Sequence, residues 1–177
     1  MSCTLSLGRT EPCKDSVGGI KTVYFIDYGT MTVTYDVTNT DVIDDLGSIT
    51  AYKYDLKGNN SFEQTITSSR ENGTTFFEQA LNITLKKLTL ADNKELKLLS
   101  YARPHIVVHD YNGNAFLMGL EHGGDVTGGT ITTGAAMGDL SGYTLTMTGQ
   151  EKTPANFLEG ATETDPFAGL TTTPTVV

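Results

Sequence analysis

"SFEQTITSSRENGTTFFEQALNITLKKL", residues 61–88, decides the fold class. Apolar and polar residues alternate on both sides of Asn72-Gly73, a dipeptide that suits the type I′ turn of a β-hairpin. A two-residue turn there pairs Phe62 with Ile83, Gln64 with Leu81, Ile66 with Gln79 and Ser68 with Phe77. One face then collects Phe62, Ile66, Phe77, Leu81, Ile83 and Leu85. The other collects Glu63, Thr65, Thr67, Glu78, Asn82, Thr84 and Lys86. This hairpin is long and half-exposed.

Upstream, "TVYFIDYGTMTVTYDV" (22–37) reads as a second hairpin turning at Gly29-Thr30. In that register Tyr28 faces Met31, Ile26 faces Val33, Tyr24 faces Tyr35 and Thr22 faces Val37, with Asp27, Thr32, Thr34 and Asp36 on the polar side. Downstream, "TLADNKELKLLSYARP" (89–104) is the one helical segment. Thr89 or Asp92 can cap it, Pro104 ends it, and Leu96, Leu99 and Ala102 form an apolar stripe widened by Leu98 and Tyr101. "HIVVHDYNGNAFLMGL" (105–120) is a third hairpin, turning at Asn112-Gly113 and pairing Val108 with Leu117 and His109 with Phe116. Apolar groups on both of its faces predict a central position. "GYTLTMTGQEK" (142–152) is a final strand with Tyr143, Leu145 and Met147 on one face.

The intervening pieces are less regular. Residues 1–19, punctuated by Gly8, Pro12, Gly18 and Gly19, read as an N-terminal arm. "TDVIDDLG" (40–47) reads as an acidic loop, and "SITAYKYDL" (48–56) as a strand. Asp41, Asp44 and Asp45 lack the ligand spacing of a calcium loop, which favours a solvated loop. From Thr153 onward, Pro154, Pro166, Pro174, three acids and a run of Thr describe a tail that orders only where it docks. The division is therefore an arm (1–19), a β domain (20–155) and a flexible or assembly-ordered C-terminal tail (156–177). No repeat of fixed period is present.

Composition agrees with a mainly β chain. It has 177 residues with 38% hydrophobic residues, 19 Gly, eight Tyr, seven Phe and no Trp, enough for one domain with a core. A formal charge of −9, with 12 basic residues scattered along the chain, argues against a nucleic-acid-binding surface. The same charge suits a conduit along which DNA slides without sticking. No basic region followed by an apolar run marks a signal peptide, and no segment approaches a membrane span, so folding in the cytosol with reduced thiols is expected. Cys3 and Cys13, ten apart without a CxxC, read as packed free thiols.

No cluster points to catalysis, a cofactor or a metal. His105 and His109 are four apart in a strand, about 13 Å from one another, and read as packed or hydrogen-bonded groups. Ser141 precedes Gly142 without the G-x-S-x-G of a nucleophile elbow. "GGDVTGGTITTGAAMGDLSG" (123–142) has seven glycines but no Lys or Arg, so it is neither a P-loop nor a dinucleotide-binding turn. Val126, Ile131, Met137 and Leu140 give it apolar anchors, and it reads as a long ordered loop leading into the last strand.

Four strings carry a resemblance: "CTLSLGRTEPCKDSVGGIK", "NGTTFFEQALNITLKKL" followed by "NKELKLLSYAR", "HDYNGNAFLMGLEHG" and "TTGAAMGDLSGYTLTMTGQEKTPA". Together they resemble the major tail tube proteins of tailed bacteriophages, in the form seen in phages of Bacteroidetes hosts, over residues 3 to 155. The resemblance implies a non-enzymatic virion protein assembled in the host cytoplasm, with a β-sandwich or partly closed barrel flanked by one α-helix. It implies six copies per ring, rings stacked into a tube that carries DNA, and an inner β-barrel built from long hairpins of each subunit. It implies other tail proteins as partners, and neither a cofactor nor membrane binding. The candidate lumen-lining hairpins are 22–37 and 61–88, with Asp27, Asp36, Glu63 and Glu78 facing DNA. Candidate contacts between subunits are Asp44 and Asp45 in the acidic loop and Gly128, Gly129 and Met137 in the glycine-rich one. The alternatives are another ring-forming virion component (tail terminator, connector or short-tail ring protein) and a soluble β-sandwich module binding sugar or peptide. The last lacks the Trp or loop aromatic cluster that would support it.

Overall fold

Val23, Tyr24, Phe25 and Ile26 are all buried, although their sequence neighbours alternate in polarity. They belong to strand β1 (Ile20–Ile26), which is covered on both faces in a computed structural model that describes residue 5 and residues 7–177. Strand β1 is flanked by β4 (Thr50–Asp55) and β7 (His105–Asp110), both antiparallel to it. The remaining elements are β2 (Thr34–Tyr35), β3 (Val42–Asp45), β5 (Ser61–Ser69), β6 (Thr74–Lys86), α1 (Leu90–Tyr101), β8 (Ala115–Met118), β9 (Asp125–Thr132), β10 (Gly142–Glu151), β11 (Asn156–Leu158) and β12 (Thr175–Val176).

Two sheets result, an eight-stranded one in the order β12-β4-β1-β7-β8-β11-β3-β2 and a four-stranded one in the order β5-β6-β10-β9. The fold is mainly β, a sandwich with one flanking helix. One core lies between the sheets, where Val23, Phe25, Ile106 and Val108 meet Leu81, Ile83, Tyr143 and Met147, with Leu96 and Leu99 of α1 closing one side. The second lies on the opposite face of the large sheet. Ile43 of β3 and Ala51 of β4, five places apart in strand order, share it with Tyr24, Val107 and Leu117, so the sheet curls without closing.

The 61–88 hairpin forms with its register moved by two residues: Phe62 pairs with Leu81 and Ile66 with Phe77. A type I′ turn needs positive φ at both central positions, and among the described non-glycine residues only Lys87 adopts it. Asn72 stays out of that region, so Arg70–Gly73 form a longer link between the Ser69–Thr74 pair. A two-residue slip preserves side-chain parity, and both faces are therefore as the alternation predicts. The same constraint at Asn112 gives a three-residue link, with the Asp110 amide donating to the Asn114 carbonyl, and a one-residue slip that pairs Val108 with Phe116. The burial of β7 on both faces matches the central position expected for this unit.

The 22–37 hairpin is overturned. The Thr30 amide donates to the Asp27 carbonyl across Gly29 at φ 78°, which is a type II turn, and such turns splay the flanking strands instead of pairing them. Residues after the turn run to β2, which pairs with β3. The acidic 40–47 segment accordingly contains a strand. So does the glycine-rich stretch, whose first half is β9, paired with β10. Its glycines serve close approach, since a Cβ at Gly129 would overlap the Thr144 carbonyl oxygen and one at Gly142 that of Leu85.

Helix α1 is capped by Thr89, whose Oγ1 accepts from the Asp92 amide at 3.0 Å, and ends at Tyr101, three residues before Pro104. Leu96 and Leu99 are buried, whereas Leu98 and Tyr101 face outward. Cys13 is exposed and not packed, and Cys3 lies outside the described residues. Residues 156–177, read as a tail, find their dock on the same chain. β11 inserts between β8 and β3, β12 pairs with β4, and Phe167 and Leu170 fill the second core.

Candidate functional site

The four-stranded sheet has one face on the core and one face that, among the described residues, no other strand or helix covers, with Arg103 and His122 at its border. Alternation sends Phe62, Leu81, Ile83, Tyr143 and Met147 inward. The registers of its three strand pairs then place Glu63, Thr65 and Thr67 of β5, Glu78, Asn82 and Lys86 of β6, Thr144, Thr146 and Thr148 of β10 and Asp125 and Thr130 of β9 on the other side. Cross-strand hydrogen bonds tie this polar surface together. Thr146 Oγ1 donates to Asn82 Oδ1 at 2.8 Å, and the Thr130 and Thr144 hydroxyls meet at 2.6 Å. Its charges are Glu63, Glu78 and Asp125 against Lys86, and Arg103 stands at its rim 4.0 Å from Asp125.

Both edges of this sheet are long. Strand β5 has nine residues and β9 eight, neither contains proline, and among the described residues no further strand pairs with either. Such edges are templates for pairing with another chain. The two run in opposite directions, because the order β5-β6-β10-β9 is antiparallel at every step.

Of the residues singled out in the sequence, Glu63 and Glu78 come together on the open polar face. Asp27 and Asp36 do not, because the hairpin that would have aligned them is absent. Asp27 begins a turn, and the Asp36 carboxylate accepts from the Asn39 amide at 2.8 Å. Asp44 and Asp45 are engaged within the chain, receiving Thr171 and Thr172 of the C-terminal segment. Burial opposes ionisation of Asp45, but hydrogen bonds from Gly47, Thr172 and Leu46 outweigh it and hold the carboxyl below its usual range. Gly128 and Gly129 sit on the exposed β9 edge, and Met137 projects from the loop 133–141.

The histidines are structural in their contacts. His105 stacks on Tyr28 with ring centroids 5.1 Å apart, accepts from the Gly29 amide at Nε2 and donates from Nδ1 to the Gly119 carbonyl. His109 bridges Thr22 Oγ1 and the Thr162 carbonyl. Burial pushes the His105 imidazole below its ordinary value of 6.5, and the Gly119 hydrogen bond and Glu151 offset this only in part. The unfolded chain therefore binds a proton there that the folded chain resists. His105 contributes stability fully above about pH 6.5, and that contribution falls as the pH drops toward the folded value. Urea titrations between pH 7.5 and 5 should show a loss of stability that His105→Asn reduces.

One constellation escaped the sequence reading. Glu121, His122 and Glu151 bring their ligand-type atoms within 4.8 Å of one another. Glu151 is buried, accepts the Glu121 and His122 amides on one carboxylate oxygen, and faces His122 Nδ1 at 3.2 Å with the other. Glu121 pairs with Lys152 at 3.6 Å. These bonds fasten the turn after β8 to the end of β10. No local spacing announces the cluster, because thirty residues separate Glu151 from Glu121.

Set against known protein families, curated proteins and solved structures, the chain gives no significant match.

Proposed function

We propose that this chain is the structural subunit of a bacteriophage tail tube. Copies join head to tail through the β5 and β9 edges into rings, and the rings stack into a conduit for DNA during ejection. The observation that carries the reading is the pair of long, oppositely directed edges on a sheet whose outer face is polar and uncovered. A rotation that sets β9 of one copy beside β5 of the next continues the antiparallel order. It repeats around a closed ring and removes both edges of this sheet. Six copies of a four-stranded sheet make a 24-stranded wall, wider than the 16- to 18-stranded barrels that already enclose an aqueous channel.

The polar face then lines the lumen. The Thr130 and Thr144 hydroxyls engage one another and Thr146 engages Asn82, which leaves fewer donors for phosphate, and Glu63 and Glu78 repel it. The reading requires no catalytic group or cofactor, and its partners are other copies and other tail proteins. The lysine variant Glu63→Lys/Glu78→Lys reverses the sign of the lumen. Assembled variant should retain duplex DNA on a filter at 50 mM salt and release it by 300 mM, whereas assembled wild type retains none at either.

Negative-stain electron microscopy of concentrated purified protein tests the proposal. Striated tubes of regular repeat support it. Single closed rings indicate a terminator or connector instead, and a monomer by light scattering at the same concentration defeats both.

A further inference from the structure

Met137 is fully exposed at the tip of the β9–β10 connection, and Ile131, just before that connection, is 66% exposed. The loop that carries Met137 is nonetheless organised. The Asp139 carboxylate accepts the Ala135 and Ala136 amides at 3.0 and 2.8 Å, and these bonds hold its carboxyl below the usual range. The one charge of residues 133–141 is thus committed inside the loop, and a methionine is held out on a preformed turn. Preforming a loop lowers the entropy lost on docking.

A recess of about 350 Å³ lies at the start of β5, where Val17 and Ile20 at the base of the arm share an apolar wall with Phe62 and Phe116, and Asn60, Gln64 and Asp110 supply a polar one. The arm is fixed there by Asn112, which accepts from the Val17 amide and donates to its carbonyl. Beyond Phe116 the aromatic line continues to Phe157, with ring centroids 4.6 Å apart.

We infer that Met137 and Ile131 of one copy seat in this recess of the adjacent copy, an inference that rests on the edge-paired ring proposed above. The direction of the strands carries it. Antiparallel pairing of β9 with a neighbour's β5 puts the end of β9, at Thr132, beside the beginning of β5, at Ser61, which is where the recess opens. Ile131 pairs with Tyr143 and Phe62 with Leu81, so both lie on the inward face of the sheet. Met137 is five positions past Thr132, which bounds its reach at about 16 Å for a fully extended chain and keeps it shorter in the preformed turn. Methionine suits an irregular recess lined by aromatic rings, because its unbranched thioether adapts to the space and gains from sulfur–aromatic contact.

The test uses Val17→Cys and Met137→Cys together in a Cys3→Ser/Cys13→Ser background, treated after assembly with a short bismaleimide and run on a denaturing gel. A ladder continuing past the dimer, absent from either single-cysteine variant, is the expected result. Assembled particles by electron microscopy that give no ladder overturn the docking while leaving edge pairing intact. A protein that stays monomeric overturns the ring reading and the docking with it.

Discussion

Ile131→Pro should leave a folded chain that runs as a 19.0 kDa monomer where the wild type assembles. The Thr130 amide is directed at β10, where it meets Thr144 Oγ1 at 3.2 Å, so alternation turns the Ile131 amide to the open edge. Proline removes that donor without breaking a bond inside the subunit, and an outward-facing position on an edge strand is where a sheet accepts it. In the ring, a lost ladder bond leaves a carbonyl on the neighbour's β5 without its donor, at about 1–3 kcal/mol per junction. The cost recurs at every junction, so each loses roughly tenfold to a hundredfold in association and closure fails. Ile131→Ala keeps the amide and removes the side chain, and should weaken assembly without abolishing it. Light scattering after gel filtration reads both, and circular dichroism confirms that each variant is folded. If Ile131→Pro assembles as the wild type does, β9 is not a junction.

Phe167→Ala should destabilise the isolated subunit by about 3–5 kcal/mol, the range for truncating a buried aromatic. Phe167 is 2% exposed and meets Tyr24 edge-on at 5.0 Å, and Leu170 joins it in the second core. Backbone bonds run from Glu159, Thr171 and Thr175 to Ile43, Asp44 and Ile49, and from Lys53 to Val177. The segment therefore completes the curled sheet. The expected readout is a lowered urea midpoint for the variant. A near-neutral change would mean that residues 156–177 are appended to a core that stands without them.

The alternation in 61–88 was legible because the base of that hairpin has one buried face and one open face, so parity decides the environment there, whereas Ile66 toward the tip extends past the core and is exposed. The helix was legible from Thr89, its stripe and Pro104. In β1 the same reasoning failed, since Val23 and Phe25 enter one core while Tyr24 and Ile26 enter the other. A strand buried on both faces has no amphipathic signature, and its partners β4 and β7 are distant in sequence. The turns at Asn72-Gly73 and Asn112-Gly113 were placed correctly but given the wrong length, because both asparagines keep negative φ. In the C-terminal segment, Phe167 and Leu170 stand among Thr, Pro and Gly with no period to announce that they are anchors. Of the candidate site, Glu63 and Glu78 followed from parity, whereas the partner edge β9 was hidden in glycines that permit close strand packing.

The central claim is that the β5-β6-β10-β9 sheet forms the wall of a lumen. A cryo-electron microscopy reconstruction of the assembled particle tests it directly. The expected map has a continuous antiparallel barrel with β5 of each copy beside β9 of the next, and Glu63, Glu78 and Thr146 pointing at the axis. A lumen lined by the eight-stranded sheet, or copies that meet with β5 and β9 left open, would contradict it.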